Sequence, residues 1–177
     1  DTGDYCVCRS LEVGDKDVAL LTDLLADLGA HALLTALSQL EAGCIRWTRQ
    51  DAEHVTYAEK IGKDELSLSP ADTVEQACRK VRASSAAHPA HATVAGKDVT
   101  VLAARPAAAD QADAGSAGMG PGSVRFAAKR LYLGAADGVI ELLEVKPAGK
   151  AAMAAKAFAA GIQGIKEDTK TWEGPRG

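Results

Sequence analysis

Residues 131–150 read LYLGAADGVIELLEVKPAGK, and the way this stretch folds decides how the second half of the chain folds. Two apolar runs, near 130–133 and 139–145, flank Ala135-Ala136-Asp137-Gly138. Asp-Gly between alternating apolar residues is a strong reversal signal, so the spacing predicts a β-hairpin. The second run leaves into Pro147-Ala148-Gly149-Lys150, a tight basic loop. That loop is not a phosphate-binding P-loop, because the glycine spacing and the Ser/Thr after the lysine are both missing.

Working outward from the hairpin, three more strands are expected at 90–94, 99–104 and 123–127, with a turn at Gly96-Lys97. Leu66 and Leu68 around Ser67 suggest a brief extended piece. A helix is expected over 71–83, capped by Ser69 or Asp72 with Pro70 in its first turn. A second is expected over 151–160, with Met153 and Phe158 capping whatever lies beneath it. Residues 105–122, RPAAADQADAGSAGMGPG, are low in complexity and read as a loop. Five short strands with a helix before and a helix after predict an α+β architecture around an OB-like β-barrel with flanking helices. Such barrels bind nucleic acid through a face and its loops.

The first third of the chain differs. Tyr5-Cys6-Val7-Cys8 reads as a short strand. From Asp17 a long run places Leu20, Leu21, Leu24, Leu25 and Leu28 at helical spacing. Asp15 or Asp17 suits its N-cap, Gly43 its stop, and Gly29 a kink or close-packing point. One helix with an apolar stripe and one strand cannot make a core, so residues 1–44 are expected to be the end of a larger α/β domain. Residues 45–65 are polar and aperiodic, and read as a linker. Residues 66–165 hold the barrel, and 166–177 read as a polar tail. The start at Asp1-Thr2-Gly3-Asp4, without Met and beside a strand-like run, is read as that of a fragment or processed product.

The net charge of −4 is uneven: 6 Lys/Arg against 13 Asp/Glu over residues 1–65, and 14 against 11 over 66–177. An acidic first part joined to a mildly basic second part suggests that the second part meets an anion. Nothing approaches an unbroken run of about 18 apolar residues, so neither a transmembrane helix nor a membrane partner is expected. The four cysteines, Cys6, Cys8, Cys44 and Cys78, form no CxxC pair and have no histidine at zinc-finger spacing. They read as buried or half-buried thiols of a reducing, cytoplasmic compartment, with no metal. His31 reads as a structural histidine of the long helix.

Three segments resemble the methionyl-tRNA formyltransferase family: DTGD at 1–4, VTYAEKI at 55–61, and the hairpin that runs through PAGK into the Met- and Phe-bearing helix. The resemblance covers nearly the whole chain, with the landmarks in order. It implies a Rossmann-like formyltransferase domain followed by an OB-like domain that helps bind initiator methionyl-tRNA, on a protein expected to be monomeric. The implied reaction moves a formyl group from 10-formyltetrahydrofolate, bound upstream, to the amino group of methionyl-tRNA. The family's catalytic set is an Asn, a His and an Asp, and the motif match puts the Asp at Asp1. A carboxylate that orients an imidazole suits amine attack on a formyl carbon through a tetrahedral oxyanion. The Asn-x-His segment would lie upstream, so the chain alone is expected to be inactive.

Lys60, Lys63, Arg79, Lys80, Arg82, Lys97 and Lys150 are the expected phosphate contacts. For Arg79, Lys80 and Arg82 the plainer role is to complement a helix dipole. Two departures stand out. The family's Asn-Pro-Trp-Pro element is Ser85-Ala86-Ala87-His88 before Pro89 here, and the stretch after the linker lysines reads LSLSP without a Trp. Two further readings remain: a formyltransferase acting on another amine such as a nucleotide sugar, and a non-catalytic RNA-binding module.

Overall fold

The computed structural model describes residues 3–62, 64–107 and 118–175. The chain divides into two compact units, Asp1–Lys60 and Ile61–Gly177.

The first unit is built on α1, Val18–Glu41. Asp17 caps it, its carboxylate accepting from the Leu20 N–H at 2.8 Å. Gly43, at φ +65°, ends it, and the Cys44 N–H donates back to the Gln39 carbonyl at 2.9 Å. Both caps are as the sequence predicts. Gly29 meets nothing within 4 Å and is not a close-packing point. No residue of α1 is buried, although Leu24, Leu25, Leu33, Leu34, Leu37 and Leu40 ride on it. His31 is exposed, its Nδ1 2.9 Å from the Asp27 carbonyl. By length and composition α1 is apolar enough to cross a membrane, which corrects the expectation that no such helix is present. Asp23 and Asp27 interrupt its leucines, and each would cost about 2.5–3.5 kcal/mol at a bilayer centre. The strand expected at Tyr5–Cys8 shrinks to a single bridge between Tyr5 and Thr48. Cys8 and Cys44 are exposed and only Cys78 is buried, against the expectation of covered thiols.

The second unit holds α2 (Val74–Ala83), β1 (His91–Val94), β2 (Lys97–Pro106), β3 (Val124–Ala127), β4 (Arg130–Gly134), β5 (Val139–Pro147), β6 (Met153–Ala154), α3 (Ala155–Ala160) and β7 (Trp172–Glu173). The strands form one antiparallel sheet in the order β3-β4-β5-β2-β1-β7, with β6 added to β5. The segment around β7 then reaches the far edge. Ser123 pairs with Thr171, the Val124 N–H donates to the Lys170 carbonyl at 3.0 Å, and the Trp172 N–H donates to the Gly122 carbonyl at 2.8 Å. The sheet is therefore a nearly closed OB-like barrel, as the five central strands implied. Residues 166–177, read as a polar tail, contain its closing strand. Their mean polarity hides one residue, Trp172, which is 2% exposed and whose Nε1–H donates to the Gly134 carbonyl at 2.8 Å.

Barrel alternation is interrupted twice. The β2–β5 register runs 101 to 145, 103 to 144 and 104 to 142, so Leu102 and Leu143 each bulge out of their strands. Both are 39% exposed. The bulges return Leu142 and Ile140 to the interior while turning Glu141 and Arg105 outward. Val94, Val99, Val101, Leu131, Leu133 and Val145 complete the apolar interior, with Leu68, Val81 and Phe158 closing its ends.

Helix α2 begins later than expected. Pro70 lies in the preceding turn, and the cap is Thr73, in a reciprocal box with Gln76, rather than Ser69 or Asp72. The Asp137 carboxylate, in the hairpin turn, accepts from the Val74 N–H at 2.7 Å, tying α2 to the β4–β5 reversal. The last helix also starts late, because Met153 and Ala154 pair with β5 before it begins.

Candidate nucleic-acid interface

Two tight turns build one basic groove. Ala95 and Gly96, at φ 50° and 74°, make a two-residue reversal that sets Lys97 at the head of β2. The Lys97 Nζ donates to the Gly161 carbonyl at 3.2 Å. In the PAGK turn, Gly149 takes φ +72° and the Lys150 N–H donates to the Pro147 carbonyl at 3.0 Å. The Ala148 N–H donates to the Asp98 carbonyl at 3.0 Å, which stitches that turn to β2. The Asp98 carboxylate accepts from Thr93 Oγ1 at 2.7 Å. Lys97 and Lys150 thereby face a groove of about 380 Å³, lined also by Asp98, Pro147, Met153 and Phe158. Two ammonium groups against one carboxylate, over an apolar floor, suit an anionic ligand with apolar parts.

The other expected contacts are not gathered there. Arg79 pairs with Glu75, one turn earlier on α2. Lys80 reaches both Asp72 oxygens, at 2.8 and 2.9 Å, and the Ser67 carbonyl at 2.9 Å. Its three donors find acceptors inside the fold, so it clips the approach segment to α2. Arg82 is half-buried in the last turn of α2, where it complements the dipole. Lys60 is exposed at the end of the first unit. Within VTYAEKI, Tyr57 is 88% exposed. Asp1 and Lys63 lie outside the described residues. Among the described residues, no three His, Cys, Asp or Glu side chains form a metal-binding group.

One cluster has no counterpart in the sequence expectations. The carboxylate of Glu141, 4% exposed, accepts from Arg105 Nε at 2.9 Å and Nη2 at 2.8 Å, with Arg130 Nη1 at 3.7 Å from the same oxygen. Tyr132 is the cross-strand partner of Glu141, and Arg125 of Tyr132. Arg125 is paired with Asp168 at 3.0 Å. Burial pushes the Tyr132 hydroxyl above its ordinary range, and the Glu141 charge pushes it further. Sequence spacing could not show the cluster, because the two bulges decide which residues face each other.

Residues 60–163 match the family model described as formyl transferase, C-terminal domain. The chain belongs to this family. Relatives of this formyl transferase domain named methionyl-tRNA formyltransferase include that of Methylococcus capsulatus, 36% identical over 89% of this chain and 50% of that protein. The Bordetella petrii protein of the same name is 34% identical over 92% and 50%. That of Solibacter usitatus is 33% identical over 98% and 54%. The chain spans about half the length of the curated relatives it matches. Among solved structures, a variant of HypX from Aquifex aeolicus has a TM-score of 0.70 at 21% identity, over 95% of this chain and 30% of that one. HypX in complex with tetrahydrofolic acid has a TM-score of 0.68 at 20% identity, over 94% and 29%. These structures establish a shared fold for this formyl transferase domain.

Proposed function

We propose that the chain is the part of a methionyl-tRNA formyltransferase that holds initiator tRNA, on a protein that moves a formyl group from 10-formyltetrahydrofolate to the amino group of methionyl-tRNA. The observation that carries this reading is 33–36% identity to three proteins of that name over 89–98% of the chain. The groove of Lys97 and Lys150 supplies a cationic site on the barrel, roomy enough for a phosphate with the sugar or base attached to it. The exposed leucines of α1 fit the edge of a larger α/β domain, since each leucine covered there would gain about 1.5–3 kcal/mol. Donor binding and the Asn and His of the reaction fall to that domain, and the HypX complex with tetrahydrofolic acid is in keeping with a folate donor. The 177 residues contain no asparagine, so a catalytic Asn has to come from outside them.

The test has two arms. Fluorescence anisotropy with initiator tRNA over a salt series should give an affinity that falls linearly in log–log form as salt rises. Replacing Lys97 and Lys150 together with Glu should weaken binding at least tenfold. Absence of binding by the unaltered chain at low salt sinks the tRNA reading. In the second arm the chain alone should leave 10-formyltetrahydrofolate and methionyl-tRNA unconverted, and turnover would show that the chemistry does not need the larger domain.

A further inference from the structure

We propose that the groove between the Ala95-Gly96 and PAGK turns seats an unpaired nucleotide of the tRNA, its phosphate between Lys97 and Lys150 and its base against Met153. The inference rests on the tRNA reading above and deepens it: the barrel takes up a single-stranded part of the RNA, not the backbone of a duplex.

The groove measures about 380 Å³, within the range of roughly 300–1,000 Å³ typical of sites that enclose a small organic ligand. A contact to a duplex phosphate needs an exposed lysine and no cavity. The wall here is also apolar, which a phosphate alone cannot use: Ala148 and Ala157 are exposed and Met153 is half-buried, with Phe158 buried beside them. In a duplex the faces of a base are covered by its neighbours, so an unpaired base is the one that can offer a face to this wall. The thioether of Met153 is polarisable and suits contact with an aromatic ring.

Charge favours a nucleotide within a chain over a free one. Among the described residues, the ionisable side chains that line the groove are Lys97, Lys150 and Asp98, two positive charges against one negative. A phosphodiester brings one negative charge, whereas a terminal phosphate brings about 1.5–2 at pH 7. The groove is also built before its ligand arrives. Lys97 Nζ is held by the Gly161 carbonyl at 3.2 Å, and the Asp98 carboxylate by Thr93 Oγ1 at 2.7 Å. The bond from the Ala148 N–H to the Asp98 carbonyl, 3.0 Å, fixes the two turns against each other. Groups held in place beforehand lower the ordering cost of binding. The Asp98 carboxylate is an acceptor for a ribose hydroxyl or a base amino group, and a nucleotide supplies both.

The full 177-residue chain, with circular dichroism to establish folding, is titrated over a salt series with initiator tRNA, with a short oligouridylate, and with the same strand paired to oligoadenylate. The single strand should bind severalfold tighter than the duplex. Met153→Ser should lower the affinity for tRNA and for the single strand severalfold while leaving the salt slope unchanged, because it removes a base contact and no charge. Lys150→Gln should instead reduce the magnitude of the slope by about 0.7, one single-strand phosphate contact. If the duplex binds as tightly as the single strand, or a folded Met153→Ser keeps its affinity, the groove takes no unpaired base and the tRNA reading stands. Should Met153→Ser not fold, the comparison of single strand with duplex still decides. If uridine monophosphate displaces the oligomer at equal nucleotide concentration, the groove belongs to a free nucleotide and the assignment to RNA falls. No tRNA binding by the unaltered chain at low salt overturns the tRNA reading and this assignment with it.

Discussion

Gly134 is a position where a side chain has no room. A Cβ there would lie 1.9 Å from the Gly120 carbonyl oxygen and 2.7 Å from Ser123 Oγ. Gly134→Ala must push the backbone of that crossing apart and should cost about 1–3 kcal/mol in urea denaturation. A loss below about 0.5 kcal/mol would mean the crossing yields freely. Lys80 tests a different kind of residue. Because its donors are met by Asp72 and Ser67, Lys80→Met should cost about 1–2 kcal/mol, the value of a half-buried charge-assisted pair. The salt slope of tRNA binding should stay unchanged in that variant, and a shallower slope would return Lys80 to the interface. Tyr132 supplies a pH signature. Its folded pKa is raised, so its contribution is fully present below the ordinary tyrosine pKa near 10 and is lost as pH rises through the higher folded value. Tyr132→Phe should therefore lose less stability than the parent chain on going from pH 9 to pH 11, and identical losses would mean that Tyr132 ionises as freely folded as unfolded.

Among the elements, the β4–β5 reversal has two tasks. The Ala135 N–H donates to the Gly138 carbonyl at 2.8 Å to close the turn, and the Asp137 carboxylate caps α2 from 63 residues away. Asp137→Ala should cost about 0.5–2 kcal/mol, the range of a lost helix cap. Hydrogen exchange should then rise first at the α2 N-terminus, and exchange rising first in β4 would assign Asp137 to the turn alone. The hairpin itself was legible because Asp-Gly between apolar runs is a local signal. So were the caps of α1, where Asp17 and Gly43 act within their own helix. The Thr73–Gln76 box was equally local but was obscured by Ser69 and Asp72, better-looking caps that serve instead to turn the chain and hold Lys80. Long-range facts were not legible. Whether Glu141 faces Arg105 depends on bulges at Leu102 and Leu143, and both bulge residues look like ordinary members of an apolar run. Of the expected lysines, Lys97 and Lys150 could be named from the sequence, but their meeting depends on a backbone bond between the two turns.

For the barrel as a whole, Trp172 joins three parts: its own short strand, the Gly122 carbonyl beside β3, and the Gly134 carbonyl at the end of β4. Trp172→Ala should cost about 3–5 kcal/mol and lower the melting temperature of the second unit, read by circular dichroism. Trp172→Phe should recover the packing but leave the Gly134 carbonyl without its donor. A change of less than 1 kcal/mol in Trp172→Ala would show that the barrel holds without its seam. The position of this seam also matters while the protein is being made. Five strands that emerge early from a ribosome can pair with one another, but β1 and β3 keep open edges until residues 170–173 have been synthesised. A growing chain stalled before that point presents two unpaired strands to its neighbours, which is a template for intermolecular pairing. Its first fold-completing contact is also among its longest in sequence, so closure should be slow relative to hairpin formation.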